Sequence, residues 1–325
     1  MNMLEPSGRI LNLQRLSTED GPGLRTTVFF KGCPLHCAWC HNPESISPNM
    51  QTQWFSERCI GCNTCLRTCP NGCLSRAEDG SLLINREDCQ ACGTCADACP
   101  TGALEAMGRT LTVDDLLAEL RKDRAYYDKS GGGVTLSGGE PTFQPDFAER
   151  LLRTLKEDGI PTALDTCGLC SLRTLERLLP FTDLVLFDLK LYDPHMHTQF
   201  TGVPNHQILE SLTYIRDYRR SQARPFDLWI RTPLIPRVTA TKENIHTIGR
   251  YLNETMNGSI SRWELCAFNN LCRDQYKRLG LEWAYATTPL MTAGELANCE
   301  QIGKDSGFNS ELIHATGATR TFEPV

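Results

Sequence analysis

Three cysteine clusters dominate the chemistry that this chain of 325 residues could perform. The first cluster has the spacing C-x3-C-x2-C, and the other two each have the spacing C-x2-C-x2-C-x3-C followed by proline. Together they hold eleven of the seventeen cysteines: Cys33, Cys37 and Cys40, then Cys59, Cys62, Cys65 and Cys69, then Cys89, Cys92, Cys95 and Cys99. Such short intervals indicate metal ligands, because disulfide frameworks are typical of small secreted domains.

The two four-cysteine runs favour iron–sulfur clusters over zinc. Structural zinc sites use two well-separated cysteine pairs. Four cysteines at 2-2-3 spacing followed by Pro70 or Pro100 are instead typical of two-cluster bacterial ferredoxins, in which the fourth cysteine of each run binds the other cluster. We therefore predict two auxiliary [4Fe-4S] clusters on these eight cysteines. The three-cysteine run cannot complete a four-iron cluster, so it leaves one iron open to a ligand that is not protein.

The stretch from Asp20 to Ser45, which surrounds the three-cysteine run, resembles a known family. The C-x3-C-x2-C spacing with Trp39 before the last cysteine is similar to the radical S-adenosylmethionine superfamily. The DGPGLR motif before it and the HNP motif after it resemble the glycyl radical enzyme activating enzymes in particular. This resemblance covers nearly the whole chain. It implies three [4Fe-4S] clusters, of which the one on Cys33, Cys37 and Cys40 is catalytic and binds S-adenosylmethionine.

The resemblance implies a reaction and its partners. Reductive cleavage of S-adenosylmethionine would give methionine and a 5′-deoxyadenosyl radical, which would abstract a hydrogen from a backbone glycine of a partner glycyl radical enzyme. A flavodoxin or ferredoxin would be the reductant, with the auxiliary clusters as an electron relay, a structural element or part of the docking surface. The minimal activases of pyruvate formate-lyase lack the eight-cysteine insertion. We therefore expect this chain to serve a different glycyl radical enzyme.

Polar elements at predicted strand ends match the family one position at a time. The Gly-Gly-Glu element would accept the protons of the methionine ammonium through its backbone and Glu140. Asp165 and Asp188 would help hold the cofactor and line a site for a monovalent cation, unless they only cap helices. Arg231 would pair with the cofactor carboxylate or with a carboxylate of the barrel. The resemblance implies cofactor contacts from Trp39, Cys40, His41, Gly138, Gly139, Glu140, Asp165, Asp188, Leu189, Lys190, Arg231 and Asn269.

One position departs from the family pattern. Activases of the formate-lyase type carry a histidine after the sixth strand, where this chain has Phe268-Asn269-Asn270. Asn269 could still donate a hydrogen bond to the cofactor, but its amide cannot titrate. A proton-transfer role at this position is therefore not expected here.

An internal repeat separates an insertion from the elements that must position this site. The segment CIGCNTCLRTCPNG recurs thirty residues later as CQACGTCADACPTG, which predicts a ferredoxin-like domain over residues 54–107. Residues 1–53 and 108–325 then form one α/β domain, a partial (β/α)6 barrel similar to a TIM barrel. Its predicted strands are Thr26–Phe30, Val134–Leu136, Thr162–Leu164, Leu184–Phe187, Leu228–Ile230 with Ile235, and Trp263–Phe268. Its predicted helices are Val113–Arg124, Phe147–Asp158, Leu172–Leu179, Gln207–Tyr218, Lys242–Thr255 and Ala293–Asp305.

Composition narrows the functional classes. The net charge of −6 argues against nucleic-acid binding, because phosphate contacts need clustered lysine and arginine. No apolar run reaches the length of a membrane span, and no leader pattern opens the chain. We therefore expect a cytoplasmic protein without membrane contact. The alternatives to an activating enzyme are a radical S-adenosylmethionine enzyme that modifies a small molecule or a peptide and, more distantly, a ferredoxin-type electron carrier.

The six remaining cysteines lack a complete cluster spacing. Cys167 and Cys170 form a half-site by spacing alone, but buried thiols are common in protein cores. We interpret all six as structural or incidental: Cys73, Cys167, Cys170, Cys266, Cys272 and Cys299.

Overall fold

A computed structural model of the protein describes residues 6–223 and 225–320. The strands in these ranges are β1 (Ser7–Ser17), β2 (Arg25–Phe30), β3 (Gln51–Trp54), β4 (Leu74–Arg76), β5 (Leu82–Ile84), β6 (Leu104–Met107), β7 (Arg109–Thr112), β8 (Gly133–Gly138), β9 (Thr162–Thr166), β10 (Leu184–Asp188), β11 (Asp227–Leu234), β12 (Arg262–Ala267) and β13 (Ile313–Thr316). The α-helices are α1 (Pro43–Ile46), α2 (Thr64–Thr68), α3 (Thr94–Asp97), α4 (Val113–Leu120), α5 (Arg124–Ser130), α6 (Pro145–Glu157), α7 (Leu172–Leu178), α8 (Pro194–Thr201), α9 (His206–Ser221), α10 (Lys242–Met256), α11 (Arg273–Leu279) and α12 (Ala293–Asp305).

Nine strands form the central sheet, in the order β13-β12-β11-β10-β9-β8-β2-β1-β7. Each neighbouring pair from β2 to β13 is parallel, whereas β1 runs antiparallel to both β2 and β7. The predicted α/β fold with a mainly parallel sheet is thus confirmed. Because parallel strands end at one edge of the sheet, the segments that follow β2, β8, β9, β10, β11 and β12 converge there.

The six strands expected from the sequence are all present as consecutive parallel neighbours. Three further strands of this sheet, β1, β7 and β13, were not expected. Strands β7 and β13 have only four residues each, whereas β1 has the alternating pattern of a half-buried strand and was missed. Ile235 lies just beyond β11. The helix expected over Val113–Arg124 ends earlier: α4 stops at Leu120, a 3-10 turn follows, and the unexpected helix α5 begins at Arg124.

The central strands are buried on both faces, which explains their continuous apolar and threonine character. In β2 every residue but one is buried, as is typical of a parallel strand covered by helices on one side and by the barrel interior on the other. Helix α6 packs its apolar face, including Phe147, Leu151 and Leu155, against this sheet. Side-chain caps begin several covering helices: Ser171 for α7, Thr241 for α10 and Thr292 for α12.

The segment between β2 and β7 forms two small sheets separate from the central one. Strand β3 pairs with β6, and β4 pairs with β5, both antiparallel. Their common apolar cluster is small and has five buried side chains, namely Cys65, Leu74, Leu82, Cys95 and Leu104. In the described part of the chain, no helix is both long enough and apolar enough to cross a bilayer.

Candidate active site and cysteine cavities

The three-cysteine loop follows β2 at the edge where the parallel strands end. Backbone hydrogen bonds fix it from two sides. Gly32 N–H donates to the Ser45 carbonyl at 2.7 Å, which joins the loop to α1. The N–H groups of His36 and Ala38 donate to the carbonyls of Thr201 and Phe200, each at 2.9 Å, which joins the loop to the end of α8.

Aromatic side chains from beyond β12 support the same loop. Trp39 is 4% exposed and lies in an apolar cluster with Phe268 and Trp283. The indole N–H of Trp283 donates to the Ala38 carbonyl at 3.1 Å, and the hydroxyl of Tyr276 donates to the Cys40 carbonyl at 2.9 Å. Sequence reasoning missed Tyr276 and Trp283, because nothing in the segment after β12 resembles a motif.

Burial sets the acid–base properties of the loop cysteines. It raises the pKa of Cys33 to about 12 and also raises the pKa of Cys37 and of Cys40. A thiolate in such a setting requires a cation or a metal to offset its charge. Lys190 is one such cation. Its burial opposes the positive charge, but Asp188 and Cys37 outweigh this effect and raise the pKa of Lys190.

The Gly-Gly-Glu element packs directly on the start of the cysteine loop. Gly139 N–H donates to the Phe30 carbonyl at 2.9 Å, and Glu140 N–H donates to the Gly32 carbonyl at 2.8 Å. A β-carbon on Gly139 would lie 2.5 Å from that Gly32 oxygen, and Gly138 has a φ of +95°. Glycine is therefore required at both positions by close backbone approach and by conformation.

Glu140 is buried, and its carboxylate is engaged by donors of this chain. Its Oε1 accepts from the hydroxyls of Thr142 and Thr166, each at 2.8 Å, and from Thr142 N–H at 3.1 Å. Its Oε2 accepts from Cys167 N–H at 2.8 Å. The carboxylate thus ties the turn after β8 to the end of β9, which leaves little of its accepting capacity for a ligand.

Asp165 has unused accepting capacity at this edge of the sheet. Its Oδ2 accepts from the Ser137 hydroxyl at 2.6 Å and lies 3.6 Å from the Arg231 guanidinium. Its Oδ1 is buried without a hydrogen-bond partner among the described residues. Burial raises the pKa of Asp165 to about 7. A buried oxygen of this kind fits a polar or cationic ligand group, such as the ammonium or sulfonium of S-adenosylmethionine.

Arg231 lies between two carboxylates inside the barrel, 3.6 Å from Asp165 and 3.4 Å from Glu264. Burial disfavours its charge, but Asp165 and other acidic neighbours outweigh this effect and raise the pKa of Arg231. The sequence left open whether Arg231 pairs with a cofactor or with the barrel. Its contacts here are with barrel carboxylates.

The remaining predicted contacts lie at the same edge of the sheet. Lys190 forms an ion pair with Asp188, and buried Leu189 between them donates its N–H to the Arg231 carbonyl at 2.9 Å. His41 Nε2 contacts the Asn269 carbonyl at 3.1 Å. The Asn269 side chain accepts from Leu271 N–H at 3.2 Å, so it stabilises its own turn.

The eight cysteines of the two four-cysteine runs line two cavities. The first, which we name the Cys59 cavity, is lined by Cys59, Cys62, Cys65 and Cys99. The second, which we name the Cys89 cavity, is lined by Cys69, Cys89, Cys92 and Cys95 and also by Cys73, which belongs to neither run. Each cavity therefore takes three cysteines from one run and the fourth from the other. The donor set and this exchange fit two four-iron clusters.

Burial raises the pKa of Cys65 and Cys95 in these cavities, but hydrogen bonds to sulfur lower the pKa of other cysteines there. Although burial of Cys59 acts in the opposite direction, donors such as Arg76 and Gly61 N–H outweigh it and lower the pKa of Cys59. The hydroxyls and N–H groups of Thr64 and Thr94 likewise lower the pKa of Cys62 and Cys92.

No three His, Cys, Asp or Glu side chains of the described residues converge closely enough to hold a single metal ion.

The DGPGLR motif lies at the opposite end of β2 from the cysteine loop. Arg25 is buried and donates to the Thr135 hydroxyl at 2.7 Å and to the Val134 carbonyl at 2.8 Å. Asp20 accepts from the hydroxyls of Ser17 and Thr27, each at 2.6 Å. These contacts join β2 to β8 and fix the start of both strands.

Comparison with known proteins extends these observations. Residues 27–246 match the radical SAM superfamily. The chain is 38% identical to the (2S)-3-sulfopropanediol dehydratase activating enzyme of Klebsiella oxytoca, over 97% of this chain and 98% of that protein. It is 36% identical to the trans-4-hydroxy-L-proline dehydratase activating enzyme of Clostridioides difficile, over 93% and 98%. The structure of Streptococcus suis SuiB bound to precursor peptide SuiA covers 88% of this chain and 46% of its own, with a TM-score of 0.51 and 15% identity, a likeness of fold alone.

Proposed function

From the premise that this chain belongs to the radical SAM superfamily, and within it to the glycyl radical enzyme activating enzymes, we propose that it installs a radical on a backbone glycine of a partner glycyl radical enzyme. When bound, a reduced four-iron cluster and S-adenosylmethionine supply a 5′-deoxyadenosyl radical for hydrogen abstraction from that glycine. The observation that carries the proposal is the three-cysteine loop beside the Gly-Gly-Glu turn at the strand-end edge of the sheet.

Cys33, Cys37 and Cys40 would hold the catalytic cluster. Their burial disfavours free thiolates, so the charge they carry as ligands must be offset by the cluster irons and by Lys190. The aromatic support under the loop, Trp39 with Trp283, would exclude water from one side of this cluster. The polypeptide would thus contribute a preorganised ligand set.

Residues at neighbouring strand ends would orient S-adenosylmethionine. The unpartnered Oδ1 of Asp165 would accept a hydrogen bond from, or offset the charge of, the cationic end of the cofactor. Gly138 and Gly139 would allow close approach of the ligand to the backbone. Glu140 would act through its neighbours, by holding the turns after β8 and β9 in place.

Production of 5′-deoxyadenosine and of a glycyl radical tests this function. The anaerobically reconstituted protein should cleave S-adenosylmethionine with dithionite, and Cys37→Ala should not. Mixed with candidate partners, such as the dehydratases served by the sulfopropanediol and hydroxyproline relatives, it should give a glycine-centred doublet in spin resonance with at least one partner. Cleavage that is equal in wild type and Cys37→Ala would refute the proposal.

Residues 54–107 would form a ferredoxin-like domain with two auxiliary [4Fe-4S] clusters. The proposal is supported by the internal repeat and by the exchange of the fourth cysteine between the two cavities. These clusters would accept electrons from a flavodoxin or ferredoxin in a reducing cytoplasm and pass them to the catalytic cluster.

Iron content and electron-donor dependence test this second part. The wild type should bind about twelve irons, and the Cys62→Ala, Cys92→Ala double variant about four. A relay requires the double variant to cleave S-adenosylmethionine with dithionite but not with a protein reductant. Equal activity with both reductants would contradict the relay.

A further inference from the structure

The two cysteine cavities are related by the internal repeat but differ in the charges beside them. Alignment of residues 59–76 with residues 89–106 places Arg67 opposite Asp97 and Arg76 opposite Ala106. The first half of the repeat thus carries two arginines where the second half has an acid and a methyl group. Two cavities with the same role would not need different charged residues beside them.

Arg76 is held so that its guanidinium faces a cysteine sulfur. Its Nε donates to the Asn63 side-chain oxygen at 3.0 Å, and its Nη1 donates to the Gly80 carbonyl at 2.9 Å. The third group, Nη2, donates to Cys59 Sγ at 3.5 Å. Three acceptors therefore fix the planar fork of this side chain against the Cys59 cavity.

Other cations of the segment make no such contact. Arg67 donates to the Cys62 carbonyl at 3.4 Å and to the Thr64 hydroxyl at 3.3 Å, so it lies near the same cavity without a bond to sulfur. Arg86 lies near Cys89 but donates to three backbone carbonyls, those of Leu279, Thr52 and Arg278. On the Cys89 side, Asp97 is close enough to affect Cys92 electrostatically.

Hydrogen bonds to cluster sulfurs and nearby net charge set the reduction potential of an iron–sulfur cluster. One-electron reduction adds a negative charge, so a donated hydrogen bond from a cation stabilises the reduced form. We propose that Arg76 raises the reduction potential of the cluster in the Cys59 cavity above that of the cluster in the Cys89 cavity. The two auxiliary clusters are then inequivalent, and a single electron resides mainly beside Arg76. This inference rests on the proposed presence of auxiliary clusters.

A potentiometric titration with dithionite, followed by spin resonance, tests the inference without an activity measurement. Cys62→Ala and Cys92→Ala, each expected to perturb one auxiliary cluster, assign the signals. In Arg76→Ala the potential of the Cys59-cavity cluster should become more negative, while that of the other cluster stays within error of wild type. Arg67→Ala is the matched control, because it removes the same charge without a sulfur contact and should shift the potential less.

Arg76→Gln provides a second measurement if Arg76→Ala binds less iron. Its amide retains a neutral N–H donor, so its shift should have the same direction and a smaller size. Unchanged potentials in variants that hold about twelve irons would overturn the role of Arg76, as would an equal shift in Arg67→Ala. A wild type with only about four irons would instead refute the auxiliary clusters, so the two failures are distinguishable.

Discussion

The three-cysteine loop and the eight-cysteine segment differ in the contacts that position their cysteines. The loop is fixed by the barrel, through backbone hydrogen bonds to α1 and α8 and through the cluster that contains Trp39 and Trp283. The segment from β3 to β6 has a core of five buried residues, two of which are cysteines. Among its sulfurs, Cys59 accepts a hydrogen bond from the Arg76 guanidinium and Cys69 accepts one from Cys73 N–H.

This difference indicates where the proposed clusters would contribute to folding. Burying one large apolar side chain stabilises a fold by about 1.5–3 kcal/mol. Ordering each backbone residue costs about 1–2 kcal/mol. The barrel has two large apolar clusters to offset that cost, but the small segment does not. We therefore expect the barrel to fold without iron and the segment to depend on it.

Removal of iron should produce the largest difference between the two regions. Anaerobic chelation should leave the amides of β2 and β8–β12 protected from hydrogen exchange. The amides of residues 59–99 should exchange at rates close to those of an unfolded peptide. Hydrogen-exchange mass spectrometry of the iron-loaded and iron-free proteins provides the measurement. Retained protection over residues 59–99 would mean that the segment folds without metal.

Trp283→Ala should affect the loop region and spare the segment. Truncation of a buried tryptophan costs about 3–5 kcal/mol, and this one also loses the hydrogen bond to the Ala38 carbonyl. Chemical unfolding should show the lower stability, and iron should be lost from the loop rather than from the eight-cysteine segment. Trp283→Phe keeps an aromatic ring and should lose less stability. Loss of auxiliary iron in Trp283→Ala with an unchanged barrel would contradict the separation of the two regions.

Arg86→Ala tests how the two regions are joined. The guanidinium donates to the carbonyls of Thr52, Arg278 and Leu279, at 3.0, 3.0 and 2.8 Å, so it links β3 to the end of α11. Loss of a hydrogen bond that involves a charged group costs about 1.5–3 kcal/mol. Amide hydrogen exchange should become faster in β3 and α11, and the exchange rates of the central sheet should not change.

Arg86→Lys is the control for that junction. Lysine keeps the charge but offers a single ammonium instead of a fork, so it should recover only part of the protection. If Arg86→Ala left β3 and α11 as protected as in wild type, the junction would depend on other contacts.

Tyr276→Phe should have the smallest effect. The variant keeps the stacking on Trp283, at 5.1 Å between ring centroids, and loses only the hydroxyl that donates to the Cys40 carbonyl. One neutral hydrogen bond contributes about 0.5–1.5 kcal/mol. Denaturant unfolding should detect this loss in the barrel transition, whereas residues 59–99 should keep wild-type exchange rates. A larger change in residues 59–99 than in the barrel would contradict the expectation that Tyr276 stabilises the loop region.

Much of the architecture was predictable because it depends on local patterns. The apolar runs of β2, β8, β9, β10, β11 and β12 predict a parallel sheet, and the helical connections from β8 to β12 place these strands in sequence order. The pairing of β2 with β8 across residues 31–132 does not follow from a short connection. Short edge strands such as β7 and β13 carry too few residues for a periodic signal. The break between α4 and α5 at residues 121–123 also has no proline or glycine to mark it.

The sequence by itself determined the cysteine runs, the repeat and the strand-end polar elements, because the spacing of ligands within one loop is a local property. Only the tertiary structure decided how Glu140, Asp165 and Arg231 divide their contacts. It also decided that α11 connects the cysteine loop to the small segment and that Arg76 faces one cavity and not the other. These outcomes depend on contacts between residues far apart in sequence, whose partners are selected by packing and by satisfaction of buried polar groups.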